Sequence, residues 1–170
     1  MTKKVPFVLA AALLALVGLV AAPADTGLAQ AGLRIGGRAA NFGAFAVNGG
    51  FMPDPATRNV VSGGNIDASS LGLAPNCRGY VTAQPDVIVN YTNARSWVRF
   101  FVRAGGDTTL VINDASGRWW CSDDEGGSLN PMIDIANPPS GQYDVWIGSY
   151  RSGEQIRGTF AVTELSSQRP

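Results

Sequence analysis

Apolar residues in this chain fall in short runs or alternate singly with polar ones. Gly, Pro, Asn and Asp interrupt them roughly every 8 to 12 residues, the rhythm of an all-β chain. No stretch carries the 3.6-residue period of a long amphipathic helix. The pattern predicts strands over Phe42–Val47, Thr57–Val61, Arg78–Thr82, Asp86–Tyr91, Trp97–Arg103, Thr108–Asn113, Arg118–Ser122, Met132–Ile135, Tyr143–Tyr150 and Gly158–Glu164. Alternation is clearest in the second half. Val98, Phe100 and Val102 share one face, with Arg99, Phe101 and Arg103 on the other. Leu110 and Ile112 oppose Val111 and Asn113, and Tyr143, Val145 and Ile147 oppose Asp144, Trp146 and Gly148. Period two sorts each set to one side of a sheet. One side is strongly apolar and the other mixed, which suits two antiparallel sheets packed face to face.

The connections carry turn chemistry. Ala104-Gly105-Gly106-Asp107 is expected to supply positive φ between two strands, and Asp114-Ala115-Ser116-Gly117 fits a type I turn closed by a Gly bulge. Gly49 to Pro55 (GGFMPDP) and Ser62 to Ser70 (SGGNIDASS) read as loops over the sheet edges. Residues 166–170 read as a flexible, frayed tail. The fold expected from this pattern is an antiparallel β-sandwich, one domain over residues 32–165; its jelly-roll-like order is what the resemblance described below implies.

The N-terminus reads as an address. Lys3 and Lys4 precede an apolar run from Phe7 to Ala22, shorter than the roughly 20 residues of a bilayer span. Small residues then mark cleavage after residue 24 or residue 31, so residues 1–31 are expected to be a secretory signal peptide. Cleavage would leave no stable membrane span and place the protein in the periplasm or outside the cell. Two cysteines in an exported chain read as a disulfide, Cys77 to Cys121, closing a loop worth about 4 kcal/mol in the chain-entropy account. Two free thiols are the alternative.

Composition then removes much of the enzyme menu. The full chain has 13 Lys plus Arg, 13 Asp plus Glu and no His. Both lysines lie in the leader. There is no Ser-His-Asp triad, Cys-His pair, His-ligated zinc or Ser-Lys dyad to be had. No Gly-x-Ser-x-Gly elbow occurs. Asp25-Thr26-Gly27 mimics an aspartic-peptidase triplet, but it has no second copy and lies in the processing region. Balanced charge argues against a nucleic-acid partner.

The densest chemistry lies between Asp107 and Asp134, where Asp107, Asp114, Asp123, Asp124, Glu125 and Asp134 face only Arg118 in sequence. Crowded carboxylates raise one another's pKa, and a hard cation relieves them. Ca²⁺ accepts six to eight oxygens in irregular geometry. Asp107, Asp114, Asp123, Asp124 and the amide oxygen of Asn130 are therefore the candidate Ca²⁺ ligands. The spacing is not that of an EF-hand, and solvated turn acids are the competing reading.

A resemblance enters at these residues. The run DTTLVINDASGRWWCSDDEGGSLNP followed by SGQYDVWIGSY resembles the bacterial pre-peptidase C-terminal domain, with its Asp-Thr strand opening, Asp-Gly turn, Asp-Asp loop and late Gly-x-Tyr strand. The resemblance implies a jelly-roll sandwich, a non-catalytic role beside secreted peptidases and calcium binding. CRGYVTAQPDVIVNY and the NFG…FMPDP segments also resemble small exported proteobacterial proteins sometimes labelled serine peptidases, over roughly Asn41 to Glu164.

Aromatics offer a second candidate surface. Trp119 and Trp120 are adjacent, so they point to opposite faces; if Cys121 and Trp119 face inward, Trp120 faces out. Trp120, Trp146 and Tyr150 are then candidate ligand-binding residues that could stack on sugar rings or anchor a protein. The function expected is a secreted or periplasmic non-catalytic module that binds Ca²⁺ and engages a protein or polymer partner. A carbohydrate-binding module is the alternative, and a two-carboxylate hydrolase the second alternative.

Overall fold

The computed structural model describes residues 1–2, 28–30, 32–124 and 127–170. The apolar run Phe7–Ala22 expected to be a signal peptide, the expected cleavage point after Ala24, and residues Ala31, Glu125 and Gly126 lie outside them. A first hairpin joins β1 (Leu28–Gln30) and β2 (Leu33–Ile35). The body follows as β3 (Ala44–Asn48), β4 (Ala56–Val61), β5 (Ile66–Asp67), a 3₁₀ turn (Ala68–Leu71), β6 (Tyr80–Val81), β7 (Val87–Thr92) and β8 (Trp97–Ala104). It ends with β9 (Thr108–Asn113), β10 (Trp119–Ser122), β11 (Met132–Ala136), β12 (Gly141–Ser149) and β13 (Arg157–Thr163).

Two sheets form the sandwich. One is four-stranded, in the order β4-β13-β8-β11. The other runs β10-β9-β12-β7-β3, with β6 and β5 continuing from the far end of β12. If β3, β5 and β6 are set aside, eight strands remain. The first, eighth, third and sixth make one sheet; the second, seventh, fourth and fifth make the other, every pair antiparallel. That interleaved order is a jelly roll. The departure from a purely antiparallel sandwich is β3, which lies parallel to β7, with Ala44 opposite Ile88. Between them the chain crosses to the other sheet as β4 and returns, so it re-enters in the same direction.

The alternation sorts the side chains as the pattern predicts. Val98, Phe100 and Val102 meet Leu110, Ile112, Tyr143, Val145 and Ile147 between the sheets. The ring of Phe100 stacks on Tyr143 at 5.3 Å between centroids. Aromatic side chains of this size bring the largest apolar areas to a core.

A second, smaller core covers the outer face of the larger sheet. Leu33 from β2, Ala68 from the 3₁₀ turn, Cys77 and Val81 close over Val111 and Trp146. The segment that reads as a loop, Ser62 to Ser70, therefore contains β5 and the start of that 3₁₀ turn. The Asp67 carboxylate caps the turn, accepting from the Ser69 amide at 2.9 Å. Cys77 and Cys121 are disulfide-bonded, which ties this cover to β10.

Two turn expectations divide. Gly117 stands at φ +82°, and its amide donates to the Asp114 carbonyl at 2.8 Å, closing the β9–β10 hairpin as expected. Gly105 and Gly106 are not among the positive-φ residues, so the β8–β9 connection does not use the left-handed region. The tail expected to be flexible lies against the sheet. Arg99 and Arg103 donate to the carbonyls of Ser166, Gln168 and Arg169 and hold it against the four-stranded sheet.

Candidate functional site

Strand β9 decides where the acids go. Asp107 precedes it and Asp114 follows it. Six residues at about 3.3 Å each put the two on the order of 20 Å apart, at opposite ends of the sandwich. Strand β10 runs back antiparallel to β9, with Ser122 opposite Leu110. Its exit delivers Asp123 and Asp124 to the end where Asp107 sits.

The result is a trio. One carboxylate oxygen from each of Asp107, Asp123 and Asp124 lies within 4.8 Å of the others. Asp107 and Asp123 are half-buried and Asp124 is exposed. Among the described residues, Oδ1 of Asp107 and Oδ1 of Asp123 are buried with no hydrogen-bond partner. Burial, and then the charge of Asp124, push the Asp107 carboxyl above its ordinary value. Asp123 is raised by burial first and then by Asp124 and Asp107. Arg151 and Arg78 pull the other way from either side. Three converging carboxylates, two of which carry an unpartnered oxygen among the described residues, are a donor set of the kind that Ca²⁺ accepts.

Two of the expected ligands do not join. Asp114 is buried at the far end with both oxygens occupied. Oδ1 accepts from the Ser116 amide, the Ser116 hydroxyl and the Arg118 amide at 2.8, 2.6 and 3.0 Å. Oδ2 accepts from the Trp120 indole at 2.8 Å. Burial raises its pKa, and these donors outweigh it, leading with Ser116 and Trp120, so the carboxyl is held below its ordinary value. Asn130 lies near the trio's strand, but its amide oxygen accepts from the Thr108 hydroxyl at 3.0 Å and its amide nitrogen donates to the Ala104 carbonyl at 3.1 Å. It stitches the β10–β11 loop to β8 and β9.

No family model matches the chain, and no curated protein matches it. Among solved structures it is similar to a periplasmic inhibitor of g-type lysozyme from Aeromonas hydrophila. The identity is 17%, over 71% of this chain and 96% of that one, with a TM-score of 0.32. That similarity is weak, and the jelly-roll assignment rests on the strand order alone.

The aromatic platform does not assemble. Trp146 is fully buried in the second core, its ring 5.6 Å from that of Trp119. Trp120 points the other way, toward the main core, with the Arg118 guanidinium 3.9 Å over its ring. Cys121 marks a covered outer face, so the expected facing of Trp119 and Trp120 is reversed. Tyr150 alone of the three is exposed, at 44%. Its amide donates to the Asp107 carbonyl at 3.2 Å, which places it beside the trio.

The sequence reading missed Leu129, which is 55% exposed on the same end. Its carbonyl accepts from the Thr108 amide, and a depression of about 520 Å³ lies between Leu129, Asp107, Arg151 and Ile156. The signal was present as a leucine in a Gly-Ser-Leu-Asn loop, where nothing apolar is needed for the turn itself. Among the described residues, no helix is long and apolar enough to cross a membrane.

Proposed function

We propose that this chain is a non-catalytic jelly-roll module of an exported protein, of the pre-peptidase C-terminal type, that binds Ca²⁺ at one end and there engages a protein partner. The observation that carries the reading is the pair of orphaned oxygens in the Asp107, Asp123 and Asp124 trio. A buried carboxylate oxygen without a partner is costly, and a divalent cation removes that cost. Asp107 and Asp123 would supply these oxygens and Asp124 a third from the exposed side. Tyr150 and Leu129 flank the ion and give a partner an apolar foothold next to charge. The Cys77–Cys121 bond supports an oxidising compartment. The absence of histidine from the sequence, and of lysine beyond residue 4, supports a role in holding rather than in cutting.

Thermal unfolding with Ca²⁺ and with chelator tests the ion. At a hundredfold excess over Kd, binding to the native state alone adds about 2.7 kcal/mol. For a domain of this size that raises the midpoint by roughly 5–10 °C. An unchanged midpoint at millimolar Ca²⁺ would remove the ion from this reading.

A further inference from the structure

We propose that the outer face of the four-stranded sheet is a binding strip for extended polypeptide, closed in this state by the chain's own C-terminal segment. Period two sends Arg99, Phe101 and Arg103 of β8 outward, away from the main core. Phe101 and its cross-strand partner Ala161 belong to neither core, yet they are 0% and 1% exposed. After β13 the chain turns, with the Gln168 amide donating to the Leu165 carbonyl at 3.0 Å, and runs back along β8. The carbonyls of Ser166 and Gln168 accept from Arg99 Nη1 at 3.0 and 2.7 Å. The Arg169 carbonyl accepts from Arg103 Nε and Nη2 at 2.9 and 2.6 Å. The Arg103 guanidinium that holds the tail also rests on the Phe101 ring at 4.9 Å.

Three features make this a strip rather than a fixed seam. Four contacts run from guanidinium N–H groups to main-chain carbonyls, which read a peptide backbone whatever its sequence, and a longer one runs from Arg103 Nη2 to Gln168 Oε1 at 3.4 Å. Arg99 is aimed beforehand, because Asp134 holds its Nε and Nη2 at 2.6 and 2.7 Å and leaves Nη1 pointing at the tail. The tail itself joins no strand ladder, since β13 ends at Thr163, so it can leave without breaking the sheet. The ligand class is an extended peptide that lays two or three carbonyls along Arg99 and Arg103 over an apolar floor. The tail competes with it at the high effective concentration of a tethered segment.

The test uses fluorescein-labelled Leu-Ser-Ser-Gln-Arg-Pro and anisotropy, on the full chain and on a chain ending at Leu165. The shortened chain, checked for cooperative unfolding, is expected to bind the hexapeptide saturably and at least about tenfold more tightly than the full chain. Arg103→Ala in the shortened chain is expected to weaken binding about tenfold or more, the loss of charge-assisted hydrogen bonds. No saturable binding, equal binding by the full chain, or indifference to Arg103→Ala would each overturn the proposal. If the shortened chain fails to fold, Arg103→Ala in the full chain decides. The heteronuclear NOE of the Ser167 to Arg169 amides is expected to fall while that of β13 stays, and an unchanged tail would overturn the strap.

Discussion

Asp107 and Asp114 are the same residue type at the two ends of one strand, and their surroundings are opposite. Asp114 gathers four donors from its own hairpin, and its carboxyl is stabilised as the anion. Asp107 meets two more carboxylates, keeps one buried oxygen unpartnered, and is destabilised as the anion. A carboxylate closing a tight turn finds amides within four residues of itself. One that meets a neighbouring hairpin's exit finds whatever that hairpin brings, here Asp123 and Asp124. The first arrangement builds the fold; the second leaves like charges together, with two oxygens unpartnered among the described residues.

The largest effect is expected at the satisfied end. Asp114→Ala removes four acceptor contacts and leaves the Trp120 indole N–H without its partner, at a cost of about 2–4 kcal/mol. Asp114→Asn keeps one acceptor oxygen and should cost less. Urea unfolding measures both. The pH dependence has a definite sign. The folded carboxyl sits below its unfolded value, so its stabilisation is present above the ordinary carboxylate range and is lost as pH falls through the lowered value. An Asp114→Ala protein as stable as the parent would erase the contrast between the two ends.

The next effect is the ion's. Asp123→Asn is expected to abolish the rise in midpoint with Ca²⁺, about 2.7 kcal/mol at a hundredfold excess over Kd, while Asp114→Asn leaves that rise intact. Calorimetric titration of the two variants reads the same contrast as affinity. If both variants lose the ion response equally, the two ends are not separate in function; if Asp123→Asn keeps it, the trio is not where Ca²⁺ binds.

Much of this was legible in the residues. All ten expected strands form, because period-two alternation against an apolar core leaves little freedom of register. Three short strands were missed. β5 is two residues, Ile66 and Asp67, inside a Gly- and Ser-rich stretch, and three-residue β1 and β2 show no measurable period. The parallel placement of β3 was not readable either, since it depends on a crossover to the other sheet and back. The acidic density of Asp107 to Asp134 spans the loops that bring Asp107, Asp123 and Asp124 together, but it also grouped Asp114 with them, which lies at the other end of β9. Strand arithmetic could have separated them: six residues of β9 keep its ends apart, while the β9–β10 hairpin folds Asp123 and Asp124 back onto Asp107. The tryptophans failed for a different reason. A disulfide ordinarily suggests the inside, but here a second core covers the outer face, so Trp146 is buried and Cys121 half-buried on the side that alternation alone assigns to solvent.

The smallest effect is also the sharpest, because it changes sign. Without Ca²⁺, Asp107→Asn or Asp123→Asn removes a charge that its neighbours oppose, and each is expected to stabilise the protein slightly, below about 1 kcal/mol after solvent screening. With saturating Ca²⁺ the same variants lack a ligand and fall below the parent. The two unfolding curves therefore cross as the ion is added. The pH dependence gives a second reading. The carboxyls of Asp107 and Asp123 are raised in the folded state, so their contribution is fully present at acid pH and is lost as pH rises through the folded values. Asp86 has the same sign and must be taken out first. Burial pushes it to about 7 against the opposing bonds from Asn41 and the Ile147 amide. In an Asp86→Asn background, the remaining fall in stability from pH 4 upward should flatten on Asp107→Asn and should disappear with Ca²⁺ bound. A slope that persists through both changes would mean that the trio's charges are already compensated, and the asymmetry along β9 would then lie in the turn at Asp114 alone.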